Sequence, residues 1–178
     1  STFYAIPRES VVSGWDAKTP DGFLFCPKFP QLITHQKRLT DCALETELFL
    51  ETMRILGPKL GPLILQFDYT FHGDGLPLLT DYLDSLPTDL HYGVEVRHRS
   101  WLNDGYYEAL RARNVAFVMS DLYYMPRMTV RTADFAYIRL LGDRRKIPGD
   151  MGEIVHDRTQ DLLRWRDEVV ALREKGAE

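Results

Sequence analysis

Five short apolar runs recur along this chain at intervals of helix length, and that alternation restricts the fold more than any other feature. Residues 22–29 (GFLFCPKF), 61–67 (GPLILQF), 91–97 (HYGVEVR), 115–121 (VAFVMSD) and 135–141 (FAYIRLL) are rich in aromatic or branched side chains. Gly, Pro or Asp bounds most of them, which is the pattern of strands. Residues 7–18, 41–56, 75–86, 106–113 and 157–175 carry apolar side chains at helical spacing. Pro7 suits a first helical turn, Asp41 or Asp74 an N-cap region, and Gly176 a C-cap. Strands separated by helices cannot close as tight hairpins, so the economical arrangement is repeated βαβ units with parallel strands. Residues 123–132 contain Pro126 and no helical face, and are expected to form a long rim loop.

No glycine-rich phosphate fingerprint follows any of the runs, so the positive sign of a dinucleotide-binding sheet is missing. A closed (β/α) barrel of TIM type gains support from side-chain alternation along the strands. With Val94 and Val96 facing the helices, Glu95 and Arg97 point inward. The same parity places Lys28 inward with Cys26, Gln66 with Ile64, Asp121 with Met119, and Arg139 with Tyr137. These polar groups stand at the C-terminal ends of their strands, where barrel enzymes place their chemistry. Residues 1–4 are expected to be the tail of a further strand. About six of eight strands would then be present, in one partial barrel domain spanning 1–178, open where the others belong.

Composition narrows the function classes. The chain has 178 residues, 44% of them hydrophobic and 12% aromatic, enough for a packed core. A formal charge of −4 argues against coating nucleic acid by overall charge, while leaving a local basic rim open to small anions. Cys26 and Cys42 have no metal-type spacing and fit a reducing compartment. No apolar run reaches membrane-spanning length, so a cytoplasmic protein without membrane contact is expected.

Glu95, Arg97 and His98, with Trp101 close behind, form the densest group of chemistry-bearing residues. Glu95 is the candidate acid or base, and the guanidinium of Arg97 beside it favours its ionised form. The alternative is a buried Glu95–Arg97 ion pair without turnover. His35 and His98 are candidates for proton transfer, and Asp121 for orienting a base or a cation. Lys28, Gln66, Arg97, Trp101, Tyr137 and Arg139 are candidate substrate-binding residues suited to phosphate or carboxylate. His35, Glu95, His98 and Asp121 are metal-ligand types. Their spacing matches no compact metal motif and arginine stands among them, so no cofactor is assigned. Arg144-Arg145-Lys146 gives a basic run beside the rim.

The motifs Ser1-Thr2-Phe3-Tyr4, Lys28-Phe29-Pro30 with Thr34-His35, Lys59-Leu60-Gly61-Pro62 through Gln66-Phe67, Glu95-Val96-Arg97-His98 with Ser100-Trp101, and Ala133-Asp134-Phe135-Ala136-Tyr137-Ile138-Arg139 occur together in this order. As a set they resemble the domain-of-unknown-function 72 family, the YecE-like proteins. That resemblance implies a TIM-type barrel with no established biochemical activity. It also implies an upstream Gly-Trp strand and a final Asn-containing strand beyond the ends of this sequence. Asp68-Tyr69 stands where the family commonly has Pro-Pro, and Leu141 where many members have histidine. Three functions follow as expectations: a hydrolase for an anionic substrate, a nucleic-acid-binding or phosphodiester-cleaving barrel, and a non-catalytic scaffold with a charged rim.

Overall fold

In the computed structural model of the chain, Leu63–Gln66 (β1) lies parallel to Tyr92–Glu95 (β2), with Leu63 opposite Tyr92 and Gln66 opposite Glu95. Every residue of both strands is buried, as in parallel strands covered on both faces. The structure describes residues 1–143, 146 and 156–176. They form two compact units, Ser1–Trp101 and Leu102–Glu178, each with one pair of parallel strands and its own helices, an α/β arrangement.

In the first unit the helices are Glu9–Ala17 (α1), Ala43–Arg54 (α2) and Leu76–Asp84 (α3). On α2 the buried Thr46, Phe49, Leu50 and Met53 recur at helical spacing and form one apolar stripe. The expected caps differ from those found. Asp41 adopts a left-handed conformation (φ 46°), Asp74 lies within a short 3-10 turn, and Pro7 precedes the N-cap Arg8. Phe29 packs against Phe49 of α2 and Tyr82 of α3, with ring centroids 4.8 and 6.4 Å away. The face of the sheet carrying Phe29 and Tyr92 is therefore the helix side.

Residues 22–29 do not form the continuous strand expected of them. Only Phe25 with Leu60 and Lys28 with Ile64 make parallel bridges. Pro27 interrupts the run, since it has no N–H to donate, although its carbonyl still accepts from Ile64 N at 2.8 Å. Gly61 permits the close approach, because a Cβ there would stand 3.1 Å from both the Phe25 carbonyl oxygen and Cys26 Sγ. Residues 1–4 are a turn closed by Tyr4 N donating to Ser1 O, and not a strand tail. The described residues hold four strands and two isolated bridges in place of the six strands expected.

In the second unit Asp104–Arg111 (α4) begins at Asn103, whose side chain accepts from Tyr106 N at 3.1 Å. Ala116–Asp121 (β3) runs parallel to Tyr137–Leu140 (β4), with Val118 opposite Tyr137 and Ser120 opposite Arg139. Residues 123–132 contain neither helix nor strand, as their composition suggests. The helix Thr159–Glu174 (α5) is closed by Gly176, at φ 77°, donating to Arg173 O. Thr132 is buried, accepts from Phe117 N at 2.6 Å and donates to Val115 O at 2.7 Å. Thr132→Val keeps the shape and leaves both backbone groups unsatisfied, so urea unfolding is expected to show a loss of about 2 kcal/mol. An unchanged midpoint would mean that these two bonds contribute nothing.

Candidate functional site

Lys28, paired with Ile64, and Gln66, paired with Glu95, share the sheet face opposite the helices of the first unit. The parity expected for these three side chains holds. Lys28 Nζ donates to Gln66 Oε1 at 2.7 Å. Arg97, just beyond β2, donates from Nε and Nη2 to a single oxygen, Glu95 Oε1, at 3.2 and 3.1 Å. Glu95 is fully buried, whereas 27% of the Arg97 side chain is exposed. The carboxylate therefore fixes the guanidinium of a side chain that remains partly exposed.

His35 sits on a short π-helical turn, Leu32–Gln36. Its Nδ1 is 2.8 Å from Thr34 Oγ1, and its ring meets the Phe3 ring edge-on at 5.1 Å. Lys28 Nζ lies 5.7 Å from the centre of that same Phe3 ring. Phe3 thus joins the histidine to the lysine, a role hidden while residues 1–4 are read as a strand. Thr2 fastens the segment, with Oγ1 donating to Lys28 O and accepting from Lys28 N. Lys28 also borders a concavity of about 270 Å³ with Thr2, Trp15, Phe25 and Cys26.

Burial lowers the pKa of His35 below its ordinary 6.5, and the positive charges of Arg97, Arg38 and Lys28 act in the same direction, against the opposing pull of Asp68. In the sequence Asp68 stands out only as a departure from the family pattern, not as a site residue. Burial pushes its carboxyl up, but hydrogen bonds from Thr70 N and Oγ1, with the charges of His35 and Arg38, leave it below the usual value. Arg38 Nη2 in turn donates to Thr70 Oγ1 at 2.8 Å.

The depressed His35 value has a thermodynamic consequence. As pH falls through 6.5 the unfolded chain takes up a proton that the folded chain resists, so the stability His35 contributes above 6.5 is lost on acidification. Melting temperature between pH 7.5 and 5 should therefore fall more for wild type than for His35→Gln. Parallel curves would refute the assignment.

Two other candidates make contacts within the protein. His98 stacks on His72 with centroids 3.9 Å apart, and its Nδ1 accepts from Ser100 N while lying 2.7 Å from Ser100 Oγ. Gly73 N donates to Ser100 Oγ, so the group ties the segment after β1 to the segment after β2. Trp101 is completely buried, its indole N–H donates to Phe71 O at 2.7 Å, and its ring packs on Phe71. No part of the Trp101 side chain reaches the surface.

Asp121 also departs from expectation. Phe117, two pairs of residues earlier on β3, packs on Tyr106 and Tyr107 of α4, so the face holding Phe117, Met119 and Asp121 is the helix side. Asp121 accepts from Arg158 Nη2 and from Trp165 Nε1 at 3.2 Å, and pairs with Arg127 at 3.5 Å. Arg139 pairs with Ser120, and Tyr137 with Val118, on the opposite face. Asp121 and Arg139 thus do not share a face as expected. Arg144 and Arg145 lie outside the described residues. Neither cysteine forms a disulfide, and burial pushes the Cys42 thiol up. Among the described residues no three His, Cys, Asp or Glu side chains gather as metal ligands, and no helix is long and apolar enough to cross a membrane.

The family model described as "Protein of unknown function DUF72" matches residues 1–178. The chain belongs to the DUF72 family. It is 44% identical over 105 residues to UPF0759 protein YecE of Escherichia coli K12, an alignment covering 59% of this chain and 39% of that relative. The chain thus spans well under two thirds of the length of the curated relatives it matches. The crystal structure of a DUF72 family protein from Thermotoga maritima MSB8 is similar with a TM-score of 0.79 at 27% identity, covering 97% of this chain and 71% of that one. A second, from Enterococcus faecalis V583, shares the fold with a TM-score of 0.75 at 20% identity, over 98% of this chain and 76% of that one.

Proposed function

We propose that residues 1–178 are part of one TIM-type barrel domain and that the face of the first unit opposite its helices binds and hydrolyses a small anionic substrate bearing phosphate or carboxylate. The observation that carries this reading is that Phe3 joins Lys28 to His35, a histidine of lowered pKa on which the charge of Arg97, itself paired with Glu95, also acts. Lys28, oriented by Gln66, and Arg97, oriented by Glu95, hold the anion. His35, neutral at physiological pH, transfers the proton. Glu95 was the acid or base expected from sequence. Complete burial against the Arg97 fork favours a positioning role for it instead. Cysteines outside any disulfide suit a cytoplasmic location.

The test is a screen of phosphomonoesters and glycosides with the full chain, followed by variants. His35→Gln should lower kcat roughly 100-fold with little change in KM, whereas Glu95→Gln should mainly raise KM. Unchanged turnover in His35→Gln ends the proton-transfer assignment. The buried Glu95–Arg97 pair also favours a second reading, a non-catalytic scaffold whose charged residues are structural. Absence of both turnover and anion binding would select it.

A further inference from the structure

A concavity of about 810 Å³ in the first unit lies along α2 and α3 and shares no residue with the proposed anion site. Its floor is apolar, formed by the buried Leu39, Leu50 and Tyr82. Leu44, 79% exposed, and Leu78, 37% exposed, stand on its walls. The bordering cations are already matched, Lys37 with Glu45 at 2.5 Å and Arg54 with Asp89 at 2.6 Å. Asp41, Glu47, Glu51 and Asp81 also border it, all exposed, and make no ion pair among the described residues. An apolar furrow between two helices accepts the apolar face of a third. Uncompensated carboxylates on its rim select the charge of that third helix.

We propose that the α2–α3 groove is a docking site for an amphipathic helical segment of a partner protein, with leucine-type anchors on one face and Lys or Arg along its flanks. The anchors enter between Leu44 and Leu78, and the basic residues meet Glu47, Glu51 and Asp81. An acidic or purely polar segment is excluded by the same rim. Because this surface is separate from the Lys28 face, docking does not require the anion site to function.

The probe is a fluorescein-labelled helical peptide of two Leu-Lys-Lys-Leu-Leu-Lys-Leu repeats, titrated by anisotropy against the full chain, beside a peptide with Glu in place of Lys. The expected result is saturable one-to-one binding of the basic peptide only. Both Glu47→Lys/Glu51→Lys and Leu44→Ser, at exposed positions, should weaken it roughly tenfold or more. Glu9→Lys/Glu174→Lys, an equal charge change at exposed positions of α1 and α5, should leave it within about twofold. Equal weakening by Glu9→Lys/Glu174→Lys would show only attraction to net negative charge and overturn the proposal. So would retention of affinity in Leu44→Ser, or no binding at low salt.

Discussion

Replacing Arg97 with alanine is expected to lower the unfolding free energy by about 3 kcal/mol, among the largest single-site effects in the chain. The cost arises from what remains. Glu95 stays at 0% exposure on the strand next to Gln66, and its Oε1 loses the two guanidinium N–H donors at 3.1 and 3.2 Å. A partly exposed arginine loses little by being removed, whereas a buried carboxylate cannot recover water without opening the sheet. The double variant Glu95→Leu/Arg97→Met is expected to recover more than half of the loss, since no buried carboxylate then loses its guanidinium partner. Guanidinium unfolding of the single and double variants checks both statements. If the double variant is as unstable as Arg97→Ala, the loss came from packing of the arginine stem.

Trp101→Ala is expected to cost about 4 kcal/mol, the usual range for emptying a large aromatic site. The indole is wholly buried against Phe71, which itself packs on Phe67 at the end of β1, with centroids 5.1 and 4.4 Å apart. Its N–H also satisfies the Phe71 carbonyl, so Trp101→Phe should lose about 1–2 kcal/mol through that bond and a small void. Neither variant, where it stays folded, should alter anion affinity. A selective loss of binding in a stably folded Trp101→Phe would return the residue to the ligand site.

Much of the architecture is legible in the sequence because the apolar runs differ sharply from their flanks. Among the described residues, the four strands and four of the five α-helices fall within the segments that periodicity marks, and α4 begins two residues before its segment, at Asp104. The inward set of the first unit is readable because polar Gln66 and Glu95 alternate with Leu65 and Val94, which leaves one consistent assignment. On β3 that contrast is missing. Ala116, Phe117, Val118 and Met119 are all apolar and all buried, so sequence cannot say which alternate set meets the helices. Register decides, and pairing Ser120 with Arg139 separates Asp121 from Arg139. Phe3 and Asp68 were missed for a different reason. Their roles depend on contacts with Lys28 and His35, far away in sequence, which no local pattern encodes. Trp101 follows a run of charged residues that suggests exposure, yet a 3-10 turn carries its ring inward.

The central claim is that Lys28 and Arg97 together hold an anion, and calorimetric titration of the full chain with inorganic phosphate tests it most directly. The account predicts one phosphate per chain for wild type. Affinity should fall roughly tenfold in Lys28→Met and in Arg97→Lys, which keeps the charge but not the planar fork, with no measurable binding when both are changed. Wild-type chain that binds no phosphate, or variants that bind it as tightly as wild type, would contradict the claim.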